Sequence, residues 1–359
     1  MEKEQAISAA LMQWHIHHNK RQMPWKGEKN PYKIWLSEVI LQQTRVEQGL
    51  DYYEKFIHHF PTVQDLAAAN DEVVFKLWEG LGYYNRCKNL LATARIITNQ
   101  YDGVFPNEYD DIISLKGIGA YTAAAIASFA FNLPFAVVDG NVYRVLSRLF
   151  AIDTATDSTA GKQLFAALAQ RVLDKEQPAF YNQAIMDFGA TVCKPSNPSC
   201  AVCFLQQHCA GFHAGLVNKL PVKEKQLQKK HRWFYYFLLV ANNEVMVAKR
   251  TTKDIWENLF EFWLVEAAHQ MEWNKQTATS YLYEQLGINC AEIIHISALQ
   301  KQQLTHQEIK GQFIKVKLDK KPEALAHQQW VEVNNINSIA FPRFITQYLE
   351  MPAVAVQLF

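Results

Sequence analysis

Four cysteines fall within seventeen residues, CKPSNPSCAVCFLQQHC, from Cys193 to Cys209, spaced C-x6-C-x2-C-x5-C. The whole chain has only six cysteines, so this is a concentration. Such a cluster could form disulfides, hold zinc, or hold an iron–sulfur cluster, and four thiolates suit both metals. The start, MEKEQAISAALMQW, has mixed charges and no apolar run, so it does not read as a signal peptide. The longest apolar stretch, Ala123 to Phe131, is too short to span a bilayer. The expectation is a cytoplasmic protein, where thiols stay reduced, which counts against disulfides.

Two carboxylates are the next candidates. In PYKIWLSEVILQQTRV, residues 31–46, helical spacing puts Glu38 on one face with Ile34 and Leu41. An acid on that face is partly desolvated, its pKa rises, and it becomes a candidate proton donor. A solvated helix glutamate is the commoner outcome for any single such residue. In PFAVVDGNVYRVLSR, residues 134–148, an apolar run ends at Asp139-Gly140-Asn141 and a helix follows. Asp139 then reads as an N-cap, kept ionised by the helix terminus. A fixed carboxylate is also what a reaction developing positive charge on a sugar needs. A third stretch, LKGIGAYTAAAIASFAF, residues 115–131, sets a short helix (about 108–115), then Lys116-Gly117-Ile118-Gly119, then a second helix. Glycines there leave backbone N–H groups open at a positive helix end, a geometry that binds phosphate without reading sequence.

These residues need elements to hold them. At 359 residues, two domains are expected. Hydrophobic residues at 49% and charged residues at 20% are ordinary for a globular protein. The net charge of +1 leaves nucleic-acid binding open, since a local basic surface can hide in a neutral total. Nine Trp and fifteen Tyr would suit base stacking, though most aromatics are core. Segments such as DEVVFKLWEGL, KNLLATARIITNQ and GKQLFAALAQRVL show apolar spacing of three and four, so residues 1–215 read as helical. Residues 216–232, LVNKLPVKEKQLQKKHR, read as an exposed basic linker. Residues 233–359 read as a smaller α+β domain, with strands at 233–240, 245–250, 261–266, 292–296, 311–318 and 329–333 and a helix at 274–286.

The glycine hairpin, the Asp139 segment and the four-cysteine loop, in this order, resemble the helix-hairpin-helix DNA glycosylase superfamily. LSEVILQQTRV, LGYYNRCKNL, VVDGNVYRVLSR and YNQAIMDFGATVC are similar, more narrowly, to the A/G-specific adenine DNA glycosylases (MutY type). The match covers the helical domain, and the second domain is compatible with the Nudix-like module of that family. The resemblance implies a mainly α N-terminal helix-hairpin-helix glycosylase domain with an iron–sulfur loop at 193–209. It implies a 4Fe-4S cluster on Cys193, Cys200, Cys203 and Cys209. Cys87 and Cys290 stand apart and are expected to be ordinary buried or semi-buried thiols.

The implied reaction is hydrolytic removal of adenine mispaired with 8-oxoguanine or guanine in double-stranded DNA. Carried over residue by residue, Glu38 protonates the leaving adenine and Asp139 steadies the oxocarbenium-like sugar, with Tyr121 and Asn141 beside them. Relatives that also cut the strand carry a nucleophilic lysine where this chain has Tyr121, so a monofunctional enzyme is expected. Lys116 is the weaker substitute nucleophile. Gly117 and Gly119 would meet phosphate, and Gln43 and Tyr83, with Thr44 and Leu81 close by, resemble residues that wedge into the base stack. Trp25, Lys26, Gln183 and Tyr121 resemble the adenine pocket. Many relatives have Arg in place of Lys26, and some have Glu in place of Gln183.

The partner base is read in the family through a Phe-Ser-His loop, whose counterpart here is Leu304-Thr305-His306. Pyrophosphatase chemistry is not expected of the second domain, because TATSYLYEQLGINC offers only Glu284 where clustered glutamates would hold metal. A DNA-binding protein without turnover would explain the hairpin and the cysteines, but not Glu38 and Asp139. The terminal VQLF faintly resembles sliding-clamp peptides, and a monomer is the default expectation.

Overall fold

The computed structural model describes residues 2–224 and 229–351. Part of the basic stretch (225–228) and the terminal VQLF lie outside the described residues. The chain divides into two compact units, Met1–Ala68 with Asn89–Gln226, and Ala69–Lys88 with Leu227–Phe359. The helices are α1 (Glu2–His17), α2 (Pro31–Leu41), α3 (Val46–His59), α4 (Val63–Ala68), α5 (Asp71–Trp78), α6 (Asn85–Gln100), α7 (Tyr109–Ser114), α8 (Ala120–Phe131), α9 (Gly140–Leu149), α10 (Thr159–Val172), α11 (Pro178–Thr191) and α12 (Ala210–His213). α5 and the first turn of α6 belong to the second unit.

Local chemistry explains where the helices of the first unit begin. The Asn30 side chain accepts from the backbone N–H of Tyr32 at 3.0 Å, and Pro31 occupies the first helical position of α2. α2 packs against α8, whose alanine-rich face (Ala123, Ala124, Ala125, Ala127) is buried. α8 starts after Gly119 and stops at Asn132 in the left-handed region, φ 54°. α9 starts on Asp139, whose carboxylate accepts from Val142 N–H at 2.7 Å. α11 crosses α9 at Gly189, where an added Cβ would come within 2.7 Å of Asn141 Cβ. Ile7 and Leu11 of α1, Val145 and Leu146 of α9, Phe165 of α10, and Ile185 and Phe188 of α11 close one core. Cys193, Cys203 and Cys209 pack against that core.

The basic stretch 216–232 is not one exposed linker. Arg148 Nε donates to the carbonyls of Val217 and Leu220 at 3.0 and 3.1 Å, and Thr156 N–H donates to Val222 at 3.0 Å. These bonds hold its first part on the helical unit. Lys230–Arg232 already belong to a strand.

In the second unit the strands are β1 (Lys230–Ala241), β2 (Glu244–Lys249), β3 (Phe260–Glu261), β4 (Trp263–Ala267), β5 (Ala291–Ile296), β6 (Gln300–Gln303), β7 (Gln307–Leu318) and β8 (Gln329–Glu332), with α13 (Lys275–Leu286) and α14 (Arg343–Leu349). β1 runs parallel to β7 from Lys230 opposite Gln307 to Val240 opposite Lys317, and antiparallel to β2 and β4. The turn from β1 to β2 uses Asn242 and Asn243, both left-handed at φ 51° and 62°. Asn274 and Thr277 cap α13 reciprocally, and Gly287 ends it at φ 64°. Glu284 is exposed on α13 without a cluster of glutamates in its helix. Cys290 is exposed, contrary to expectation, while Cys87 is fully buried.

Candidate active site

A cavity of about 1060 Å³ opens in the first unit, lined by Glu38, Tyr121, Asp139 and Asn141 among others. α2 supplies Glu38, α8 supplies Tyr121, and the start of α9 supplies Asp139 and Asn141. Tyr121 Oη donates to Glu38 Oε2 at 2.6 Å. Glu38 is 8% exposed, and burial pushes its carboxyl up to about 7 against the Tyr121 hydrogen bond, with the Asp139 charge adding to the rise. The group is therefore split between acid and carboxylate near neutral pH. It can hand over a proton that an ordinary glutamate would already have lost.

Asp139 departs from the expectation in one respect. Burial raises its pKa above the usual aspartate value, and this outweighs the hydrogen bonds from Val142 N–H and Asn141 and the charge of Arg144. The helix terminus limits the rise and does not reverse it. Asn141 Nδ2 donates to Asp139 Oδ2 at 2.7 Å, and Asn141 Oδ1 accepts from Arg144 Nη2 at 2.8 Å. Arg144 donates onward to the carbonyls of Gly189 and Cys193, each at 2.7 Å. The carboxylate is thus anchored through α9 to α11 and to the start of the cysteine loop.

Trp25, Lys26 and Gln183 also line the cavity, together with His15 and Arg21. Gln43 and Thr44 stand at the same cavity, and Gln43 takes the left-handed conformation, φ 57°. Lys116 does not line it. Behind Lys26 and Gln183 lies a residue that sequence reasoning passed over. Asp187 is fully buried on α11 and accepts four hydrogen bonds. Arg21 Nη1 and Gln183 Nε2 bond Oδ1 at 2.9 and 3.0 Å, while Asn19 Nδ2 and Lys26 Nζ bond Oδ2 at 2.7 and 3.1 Å.

A buried acid with a pKa near neutral and a second carboxylate in the same cavity are the pair that cleavage at a sugar uses. Comparison with known proteins names the sugar's context. The family model described as HhH-GPD superfamily base excision DNA repair protein matches residues 36–170, and the NUDIX domain model matches residues 235–351. The chain is 38% identical over 260 residues to an adenine DNA glycosylase of Buchnera aphidicola subsp. Baizongia pistaciae, covering 70% of this chain and 72% of that one. It is 32% identical over 351 residues to an adenine DNA glycosylase of Buchnera aphidicola subsp. Acyrthosiphon pisum, 96% of this chain and 97% of the other. The chain belongs to the adenine DNA glycosylase family. It is an enzyme of base excision repair, an N-glycosyl hydrolase that removes adenine from DNA. A solved structure of a thermostable thymine-DNA glycosylase shares the fold of the helical part, at TM-score 0.55 and 26% identity over 59% of this chain and 98% of that one.

Two further expected regions lie in the first unit of this adenine DNA glycosylase. Gly117 sits at φ 79°, and a Cβ there would stand 2.6 Å from Asn89 Cβ, so the hairpin turn requires glycine. Gly119 caps α8 with open space around it. Cys193, Cys200, Cys203 and Cys209 line one common cavity with Arg148 and Phe188. Among the described residues, no three His, Cys, Asp or Glu side chains gather as one metal ion would need. A cluster of several irons spreads its thiolates more widely, and four unpaired cysteines around one cavity fit such a group. Burial raises the thiols of Cys200, Cys203 and Cys209, Cys203 to about 11, so without a cation they are protonated.

In the second unit, a cavity of about 540 Å³ is lined by Tyr83, Arg86, Leu304, Thr305 and His306 among others. Tyr83 takes φ 51° between Gly82 and Tyr84, and its hydroxyl shares a hydrogen bond with Thr305 Oγ1. Its ring is 41% exposed, so it is available to a ligand, whereas Leu81 is buried. Arg86 lies over the rings of both Trp78 and Tyr83, at 5.4 and 5.3 Å. Among the described residues, no helix is long and apolar enough to cross a membrane.

Proposed function

We propose that this adenine DNA glycosylase acts on adenine opposite 8-oxoguanine or guanine in duplex DNA, as a monomer and without cutting the strand. The observation that carries the reading is the Tyr121–Glu38 hydrogen bond of 2.6 Å in a cavity that also holds Asp139. The adenine leaves the stack and enters the cavity. Glu38 protonates the base as the glycosidic bond breaks, and its pKa of about 7 suits that task. Ionised Asp139, oriented by Asn141, steadies the positive charge that develops on the sugar. Trp25, Lys26 and Gln183 form the wall for the base. Gln43, beside Thr44, and Tyr83, beside the buried Leu81, each wedge into the base stack, and Gly117 and Gly119 hold a phosphate.

The absence of an amine at position 121 supports hydrolysis without a Schiff base. Leu304, Thr305 and His306 read the partner base, since the target adenine is itself undamaged. Cys193, Cys200, Cys203 and Cys209 hold a 4Fe-4S cluster that organises the loop, and the enzyme works in the cytoplasm on the chromosome. The reading is tested by single-turnover adenine release from duplexes with adenine opposite 8-oxoguanine, guanine or thymine. Release from the two mispairs alone supports it; equal release opposite thymine overturns the partner-base role. Glu38→Gln and Asp139→Asn should each abolish release while DNA binding persists. Borohydride should trap little protein on DNA, and purified protein should carry iron and sulfide in equal amounts.

A further inference from the structure

Asp187 is a buried charge that the proposed mechanism leaves unused. Its carboxylate has four acceptor sites and four donors, so it is saturated. An ionised carboxylate can only accept. The end of the Gln183 amide that meets it must therefore be the NH2, and the flip ambiguity that usually attends glutamine is removed here by the network. Gln183 lines the catalytic cavity, and with one N–H given to Asp187, its carbonyl oxygen and its second N–H are left for an occupant, the pair that matches the amine and N7 of adenine. Lys26 Nζ is fixed in the same way, giving one N–H to Asp187 and one to the Arg21 carbonyl at 3.1 Å. Its third N–H remains for the cavity it lines.

This arrangement selects among purines. Adenine carries an exocyclic amine at C6, which donates, beside N7, which accepts. Guanine and hypoxanthine carry a carbonyl at C6, which only accepts. A fixed carbonyl oxygen on Gln183 matches the amine and repels the carbonyl, and a mismatched acceptor pair in a desolvated pocket is costly. We infer that Asp187 is a positioning residue for base selectivity: by locking the Gln183 amide with its oxygen toward the cavity, it makes the pocket accept a 6-amino purine and reject a 6-oxo purine. The inference rests on the proposal that this cavity receives the base.

The test compares single-turnover release of adenine and of hypoxanthine from otherwise identical duplexes, in the unaltered enzyme and in Asp187→Asn. An asparagine can donate to the Gln183 oxygen, so the amide is free to turn. The adenine-to-hypoxanthine rate ratio should fall about tenfold or more, the scale of one hydrogen bond gained or lost. Gln183→Leu, which keeps Asp187 and removes the oxygen, should narrow the ratio similarly. If Asp187→Asn slows both bases equally and keeps the ratio, the residue is only structural and the inference fails. It fails as well if the unaltered enzyme releases both bases alike.

Should Asp187→Asn not fold, a crystal of the unaltered enzyme with free adenine decides. Gln183 Oε1 on the exocyclic amine with Nε2 still on Asp187 supports the inference, and a turned amide or a base out of reach overturns it. Glu38→Gln, run in parallel, keeps the two readings apart. If it retains its rate, the cavity does not cut the bond and both readings fall. If it loses its rate while Asp187→Asn keeps the ratio, only the inference falls.

Discussion

At the scale of single residues, Glu38 makes two predictions from one number. Its pKa of about 7 places the loss of the catalytic proton within reach of ordinary buffers. Single-turnover adenine release should fall about tenfold per pH unit above about pH 7, as the acid form disappears. Toward acid the limit is Asp139, which must be ionised and whose pKa is itself raised, so the acidic limb should lie above the usual aspartate range. A profile flat through pH 9 would remove Glu38 as the acid. The same shift is also a stability statement. The folded chain keeps the Glu38 proton where the unfolded chain has lost it, so stability falls as pH rises from 4.5 through about 7. Above that, the buried carboxylate costs about 3 kcal/mol, and Glu38→Gln should melt higher than the unaltered protein at about pH 8 and level with it near pH 4. Equal melting at both would show that the carboxylate is not desolvated. Glu38 was legible as a candidate because helical spacing puts it on an apolar face, and the family resemblance singled it out from the solvated glutamates that share such spacing. Asp187 was not, because Asn19, Arg21 and Lys26 reach it across more than 160 residues of chain and no local pattern records such a meeting.

At the scale of elements, the site depends on where α9 begins. Gly189 of α11 lies against that first turn, and a Cβ there would meet Asn141 Cβ at 2.7 Å and its carbonyl oxygen at 3.0 Å. Neither atom is the free end of a flexible side chain, so the turn itself must shift. Gly189→Ala should cost about 1–3 kcal/mol of stability. Because Asp139 and Asn141 sit on the displaced turn, adenine release should drop about a hundredfold, the scale of a 1 Å misplacement. DNA binding, measured at fixed salt, should change little. A variant with normal release would show that α9 tolerates the shift and that the position of Asp139 is not critical. Most elements were legible: apolar periodicity gave the main helices, and the runs at 233–240 and 245–250 gave the two strands of the first hairpin. β6 was missed because its sequence, QKQQ, alternates nothing apolar and joins the sheet only through its ladder with β7. The start of β1 was hidden for a related reason, since Lys230, His231 and Arg232 look like linker until paired with Gln307, Glu308 and Ile309.

At the scale of the whole molecule, an enzyme whose substrate base is normal must obtain its selectivity from elsewhere than the glycosidic chemistry. Composition could not show this, because a net charge of +1 says nothing of where a partner base is read. For the proposed reading of the partner base, the second unit supplies the pair Tyr83 and Thr305. Tyr83 and Thr305 are 222 residues apart in sequence, line one cavity and share one hydrogen bond. Gly80, Gly82 and Tyr83 all hold left-handed backbone angles, a conformation that needs external support when a tyrosine adopts it. Arg86 supplies part of that support through the Gly82 carbonyl at 3.2 Å, and Thr305 supplies part through the tyrosine hydroxyl. Tyr83→Phe and Thr305→Val each remove the same hydrogen bond. Each should reduce the preference for 8-oxoguanine over guanine as partner, and the double variant should lose no more than the larger single loss. If the losses instead add fully, the two side chains act independently and the pair does not function as one reader. If neither changes the ratio while His306→Ala does, selectivity belongs to the imidazole and the Tyr83 contact only shapes the loop.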